Sequence, residues 1–191
     1  MLRWLLGSAE LRRIDSLEAN RNVAGLIAEL TNQAGSGHQA IRGDAALALG
    51  RVGNSQALPY LAELARGDPD EVVRMEALWA LGKIGGRSEV QSFIVGLEDP
   101  APIVRMVAAE GLGHIHDASA IPKLRSVLDS DPDRYVRVRA AESLVELGDR
   151  EVLPRIPAIL QDVPWRVRGS SRYKTLKHRA ALALATEQQR R

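Results

Sequence analysis

The sequence predicts an all-α protein, an α-α superhelix of about five stacked helix pairs behind an N-terminal capping helix. Three observations predict it. A segment of about fourteen residues recurs at near-constant spacing. Each copy follows a second apolar segment whose pattern is helical. The chain is also poor in aromatic residues, with one Phe, three Trp and three Tyr in 191 residues. Its core must come from Ala, Leu, Val and Ile, which suits closely packed helices better than a β-sandwich.

The N-terminal residues 1–19 match no repeat. Leu2, Leu5, Leu6, Leu11, Ile14 and Leu17 mark one or two amphipathic helices, broken near Gly7-Ser8. A stack of helix pairs needs a cap over its first open interface, and this segment is expected to supply it. The other reading is that Trp4, Leu5 and Leu6 dock on a membrane or partner. The run is too short for a signal peptide, and no apolar stretch reaches the roughly 18 residues of a transmembrane helix. A soluble, cytoplasmic protein is expected.

The recurring segment reads AIRGDAALALGRVG from Ala40, VVRMEALWALGKIG from Val72, IVRMVAAEGLGHIH from Ile103 and YVRVRAAESLVELG from Tyr135. Its aligned arginines, Arg42, Arg74, Arg105 and Arg137, are 32, 31 and 32 residues apart. A fifth, degenerate copy, TLKHRAALALA from Thr175, places Lys177 at the Arg position, 40 residues after Arg137. An insertion therefore falls near 162–173. The preceding segments are NVAGLIAEL, QALPYLAEL, EVQSFIVGL, AIPKLRSVL and EVLPRIPAIL. In the second of these, Leu58, Leu61 and Leu64 recur every three residues, which is helical rather than period two.

Punctuation separates the helices. Pro59, Pro122 and Pro154 fit the first turn of the first helices, where a missing N–H costs little, and Pro157 delays or kinks its helix. Asp68-Pro69, Asp99-Pro100 and Asp131-Pro132 mark the turns between helices. Gly53, Gly85 and Gly148 are expected to close the second helices. The single domain 1–191 then divides into repeats at about 20–53, 54–85, 86–116, 117–148 and 149–186.

These residues resemble the HEAT-like repeat family, in the short variant found in phycobilin lyase subunits. The signature is an Asp-Pro turn, Val-Arg, a small-residue helix ending Leu-Gly-x-Ile-Gly, and a helix with an early Pro. The resemblance covers roughly 22–186. It implies a HEAT-like solenoid in which Asp68, Asp99 and Asp131, each six residues before an Arg, tie turns to neighbouring second helices. The first repeat departs, with Ser36 at the Asp position.

Catalytic chemistry is hard to place on this chain. There is no Cys, which excludes disulfides and thiolate sites. Of four His, His114 and His116 lie two apart and cannot share a helix face, while His38 and His178 stand alone. No phosphate loop or GxSxG is present. The HEAT-like enzyme deoxyhypusine hydroxylase holds a di-iron centre through His-Glu dipeptides, and no His-Glu occurs here; Glu76 follows Met75. No metal site, no cofactor and no catalytic residue are expected.

Helical phase at 100° per residue turns Val73, Ala77, Ala80, Leu81 and Ile84 to the core and Met75, Glu76, Trp79 and Lys83 away from it. By alignment, the Trp79 column reads Leu47, Trp79, Glu110, Glu142, and the Lys83 column reads Arg51, Lys83, His114, Glu146. In HEAT-like arrays this face generally lines the concave side. The expected partner-binding residues are thus Arg51, Met75, Trp79, Lys83, Glu110, His114, Glu142 and Glu146. Trp79 is either an exposed anchor for a partner or a residue buried by curvature against a neighbouring helix. Glu110 and Glu142 either meet a partner or bridge to adjacent basic groups.

The net charge of +2 conceals an asymmetry. Residues 164–191 hold eight Lys or Arg against Glu187 alone; the remainder holds 18 basic and 23 acidic residues. The function expected from this pattern is a scaffold or adaptor that binds another protein on the concave second-helix face. An alternative is nucleic-acid or polyanion binding through Trp165, Arg166, Arg168, Arg172, Lys174 and Lys177, with Tyr173 nearby. A third is a non-catalytic subunit of a phycobilin-lyase-like complex.

Overall fold

A computed structural model describes residues 8–31 and 38–161, together with positions 174, 177, 178 and 181. Every regular element among these residues is helical. Helix α1 (Ser8–Ala19) precedes four helix pairs: α2 (Val23–Thr31) with α3 (Gln39–Val52), α4 (Leu58–Gly67) with α5 (Glu71–Ile84), α6 (Val90–Gly96) with α7 (Pro102–Ile115), and α8 (Ile121–Ser130) with α9 (Arg134–Glu146). Helix α10 (Ile156–Gln161) is a further first helix packed on α9. Position 174 and positions 177, 178 and 181 of the degenerate fifth copy are helical. The expected insertion near 162–173 and Ser36 lie outside the described residues.

The two helices of each pair pack together, and the second helices form a continuous row, α3 on α5, α5 on α7 and α7 on α9. Small residues allow this close stacking. Ala45, Ala48, Ala77, Ala80, Ala108 and Ala140 are fully buried in the row, where a larger side chain would separate the helices. Leucines at the matching positions, Leu49, Leu81, Leu112 and Leu144, are fully buried with them. Val73, Ala77, Ala80 and Leu81 are buried as helical phase requires, whereas Ile84, the last residue of α5, is only half-buried.

Helix α1 packs against α2 and α3, with Ile14 buried and Leu17 against the core. This is the position of a cap on the first repeat. Leu2, Trp4, Leu5 and Leu6 lie outside the described residues. Arg21, at φ 51°, turns the chain from α1 into α2 and donates from its guanidinium to the Val52 carbonyl at the end of α3.

Pro59 and Pro122 sit in the first turns of α4 and α8 as expected, whereas Pro154 lies in a short 3-10 turn that ends where α10 begins. Pro157 falls in the first turn of α10, which accounts for the late start of that helix. The helix ends differ in one detail from the sequence pattern. Gly53 closes α3 at φ 75° and Gly148 follows α9 at φ 79°, but Gly85 stays right-handed at φ −90° and Gly86 takes the positive φ of 53°. At the end of α7 His116 replaces glycine and adopts φ 54°, a conformation that imidazole side chains tolerate better than most.

The Asp-Arg ladder joins the pairs. Arg42 donates two hydrogen bonds to Asp68 at 2.6 and 2.9 Å, Arg74 two to Asp99 at 2.7 and 2.8 Å, and Arg105 two to Asp131 at 2.7 and 2.9 Å. Each carboxylate thus takes the arginine of the preceding repeat. The arginine six residues after it bonds the turn instead: Arg74 Nη1 reaches the carbonyls of Asp68 and Pro69, Arg105 those of Asp99 and Pro100, and Arg137 those of Asp131 and Pro132. Bidentate geometry satisfies groups that would otherwise be buried without partners.

Candidate binding face on the second helices

The row α3, α5, α7 and α9 presents the columns expected to bind a partner. Trp79 is 39% exposed, so curvature does not bury it. One edge of its indole rests on α3, where a Cβ added to Gly50 would lie 3.0 Å from Trp79 Cζ3. Lys83, one turn on, holds its ammonium 5.2 Å from the indole centroid, within cation–π range. His114 is exposed on α7.

Five of the expected site residues pack or pair within the chain. Met75 does not point away; it is half-buried and packs against the core, because its position lies at the border of the apolar stripe. Arg51 makes a bidentate pair with Glu18 of α1 at 2.6 Å for both bonds. Glu110 and Glu142 bridge to a basic neighbour: Arg139 lies between them, 3.6 Å from Glu110 and 2.5 Å from Glu142. One cation thus stands between the two carboxylates of the acidic half. Glu146 is half-buried over α7, where a Cβ on Gly113 would meet its Oε2 at 2.7 Å.

Column reading passed over Arg139 and gave no role to Glu76. Both belong to the column two residues after the ladder arginines, which reads Asp44, Glu76, Val107, Arg139. Tabulating that column would have exposed a carboxylate pair at one end and a cation at the other. Glu76 leans on α3, where Gly43 leaves the backbone bare; a Cβ there would sit 1.9 Å from Glu76 Oε2. Burial, with the nearby charges of Asp44 and Asp70 adding to it, raises the Glu76 carboxyl to about 7.

Between α5 and α7 the face sinks into a hollow of about 710 Å³. Its floor is made by Leu78, Phe93, Val107 and Ile115, and its rim by Trp79, Lys83, Arg87, Glu110 and His114. Two helical glycines create it. Gly82 on α5 and Gly111 on α7 put no side chain into the gap, and the buried Phe93 ring of α6 fills the space behind them. A Cβ on Gly111 would lie 2.2 Å from Phe93 Cε1, so that glycine is required by the close approach of the ring. Among the described residues no group of His, Asp and Glu is arranged to hold a metal ion, and no helix is long and apolar enough to cross a membrane. Of the residues expected to bind polyanions, Lys174 and Lys177 are exposed; Trp165, Arg166, Arg168 and Arg172 lie outside the described residues.

A row of helix pairs tied by an arginine ladder, with one face of the second helices left uncovered by the described residues, defines an α-solenoid repeat protein. The chain belongs to the HEAT-repeat family, whose model matches residues 24–96 and 90–185. It is similar to an epoxyqueuosine reductase from Bacillus subtilis (strain 168), 40% identical over 62 residues. That match covers 32% of this chain and 16% of the reductase, so the chain spans a small part of that relative's length. A structure of human deoxyhypusine hydroxylase in complex with glycerol aligns over 90% of this chain and 75% of its own, with 18% identity and a TM-score of 0.41.

Proposed function

We propose that this protein is a scaffold or adaptor whose second-helix face, the concave side in the HEAT-like arrangement, holds another protein. The observation that carries this reading is Trp79: a large aromatic, 39% exposed, on a face that no other part of the described chain covers. Exposed Trp is enriched among residues that dominate interface energetics. Beside it stand the apolar hollow and a mixed polar rim, the arrangement of an interface centre and its surround.

The test is a binding assay on the natural partner, identified by affinity purification from the native cell. Trp79→Ala is expected to weaken binding by about 2 kcal/mol, the scale of a central anchor. Neutralising Arg166, Arg168 and Arg172 is expected to leave affinity nearly unchanged. The reverse result, with affinity that falls steeply with salt, belongs to polyanion binding by the C-terminal segment and would replace this proposal.

A further inference from the structure

We infer that the hollow between α5 and α7 receives an acidic segment of the partner protein: one apolar side chain enters the hollow, and Asp or Glu residues beside it meet Lys83, Arg87 and His114. This rests on the reading of the second-helix face as the partner site and names the chemistry of what binds there.

Shape supplies the first argument. The floor of Leu78, Phe93, Val107 and Ile115 is apolar, and Gly82 and Gly111 bring bare helix backbone to its sides. Such a hollow suits a Leu-, Met- or Phe-sized side chain, whose burial releases water from apolar surface on both partners. Because Trp79, Gly82, Lys83 and His114 are all exposed, the hollow is reached directly from the outer surface. A free small molecule is usually enclosed over most of its area; a side chain projecting from a larger chain needs no such enclosure.

Charge supplies the second argument. Lys83, Arg87 and His114 share one rim, and among the described residues none of them makes an ion pair. Lys83 is held over Trp79, and Arg87 donates to the His116 carbonyl at 3.4 Å, with Asp117 close enough to feel its charge. Glu110, the carboxylate on the rim among the described residues, has Arg139 3.6 Å away on its other side, shared with Glu142. A carboxylate arriving beside Trp79 would therefore meet Lys83 and Arg87, neither of them in an ion pair among the described residues, with His114 beside them. A basic ligand would approach Lys83 and Arg87 against like charge, with Arg139 also near Glu110. Complementarity of this kind governs the choice of partner and the association rate.

The experiment pans a random twelve-residue peptide library against the full chain and follows binding of the selected peptides by the Trp79 indole N–H resonance. Three variants run beside the wild type: Lys83→Glu with Arg87→Glu, the reverse-sign test; Gly82→Leu, which fills the hollow from an exposed site; and Trp79→Ala. Thermal melts establish that each is folded. The expected result is enrichment of a large apolar residue within two positions of Asp or Glu, with affinity reduced about tenfold or more by the charge reversal and by Gly82→Leu. Peptides that shift Trp79 but lack acids, or bind the charge-reversed protein equally well, would overturn the acidic assignment and leave the face as the partner site. Selected peptides that leave Trp79 unmoved, or a library with no enrichment, would overturn both. Shift of Trp79 by indole-3-acetate without any peptide enrichment would make the hollow a small-molecule site, and shift by oligo-dT alone would give the face to nucleic acid; either outcome overturns the proposal.

Discussion

Arg105 on α7 reaches Asp131, at the turn before the next second helix, through two hydrogen bonds of 2.7 and 2.9 Å, and both side chains are at most 10% exposed. The guanidinium fork satisfies both carboxylate oxygens while its third nitrogen bonds the Asp99 and Pro100 carbonyls of its own turn. One side chain therefore joins two successive repeats. The paired charges raise the Arg105 pKa further above its ordinary value, chiefly through the hydrogen bonds to Asp131.

Arg105→Ala is accordingly expected to destabilise the protein by about 3 kcal/mol, since it leaves Asp131 buried without its counter-charge. Arg66→Ala, at an exposed position in the last turn of α4, is expected to change stability by no more than about 0.5 kcal/mol. Chemical denaturation of the two variants checks the difference; equal midpoints would mean that the ladder contributes nothing.

Glu76 predicts a pH dependence. Its carboxyl is raised from 4.5 to about 7, so the folded state holds this proton more tightly than the unfolded chain. The associated stability is fully present below pH 4.5 and is lost as pH rises through about 7. Glu76→Gln keeps the neutral form at all pH values. Relative to wild type it is expected to gain on the order of 1 kcal/mol at pH 8, the half-buried position allowing partial solvent screening, and to gain nothing at pH 4. Melts at the two pH values decide this: a gain that does not vary with pH would assign the effect to something other than the proton.

The two glycines of the hollow are expected to respond oppositely. Gly111→Ala drives a Cβ into the buried Phe93 ring at 2.2–2.9 Å, and is expected to cost about 1–3 kcal/mol despite the better helix propensity of Ala. Gly82→Ala meets only Phe93 Cζ, at 3.3 Å, from an exposed site, and is expected to be neutral or stabilising by up to about 1 kcal/mol. Thermal unfolding of both variants checks the contrast.

Trp79→Ala is expected to lower stability by about 1 kcal/mol, well short of the ~3–5 kcal/mol of a buried Trp, because the ring is 39% exposed and rests on α3 by one edge. A loss in the upper range would mean that the indole belongs to the core and would remove its role as an anchor.

Repeat spacing, helical phase and turn residues by themselves determined the helix pairs, the order of first and second helices, and the recurrence of Arg42, Arg74 and Arg105, whose ladder role the resemblance to HEAT-like repeats implied. Those features are local or periodic, and a period of 31–32 residues states directly which residues recur against one another. Only the tertiary structure decided which carboxylate each arginine takes, that Arg51 belongs to Glu18 of the cap, that Arg139 stands between Glu110 and Glu142, that Glu76 lies over Gly43, and that Gly82, Gly111 and Phe93 shape a hollow. Each of these depends on distances between different helices. Long side chains such as Arg and Glu span several ångströms in directions that column alignment does not record, and a glycine acquires its role from the neighbour that fills or leaves the space beside it.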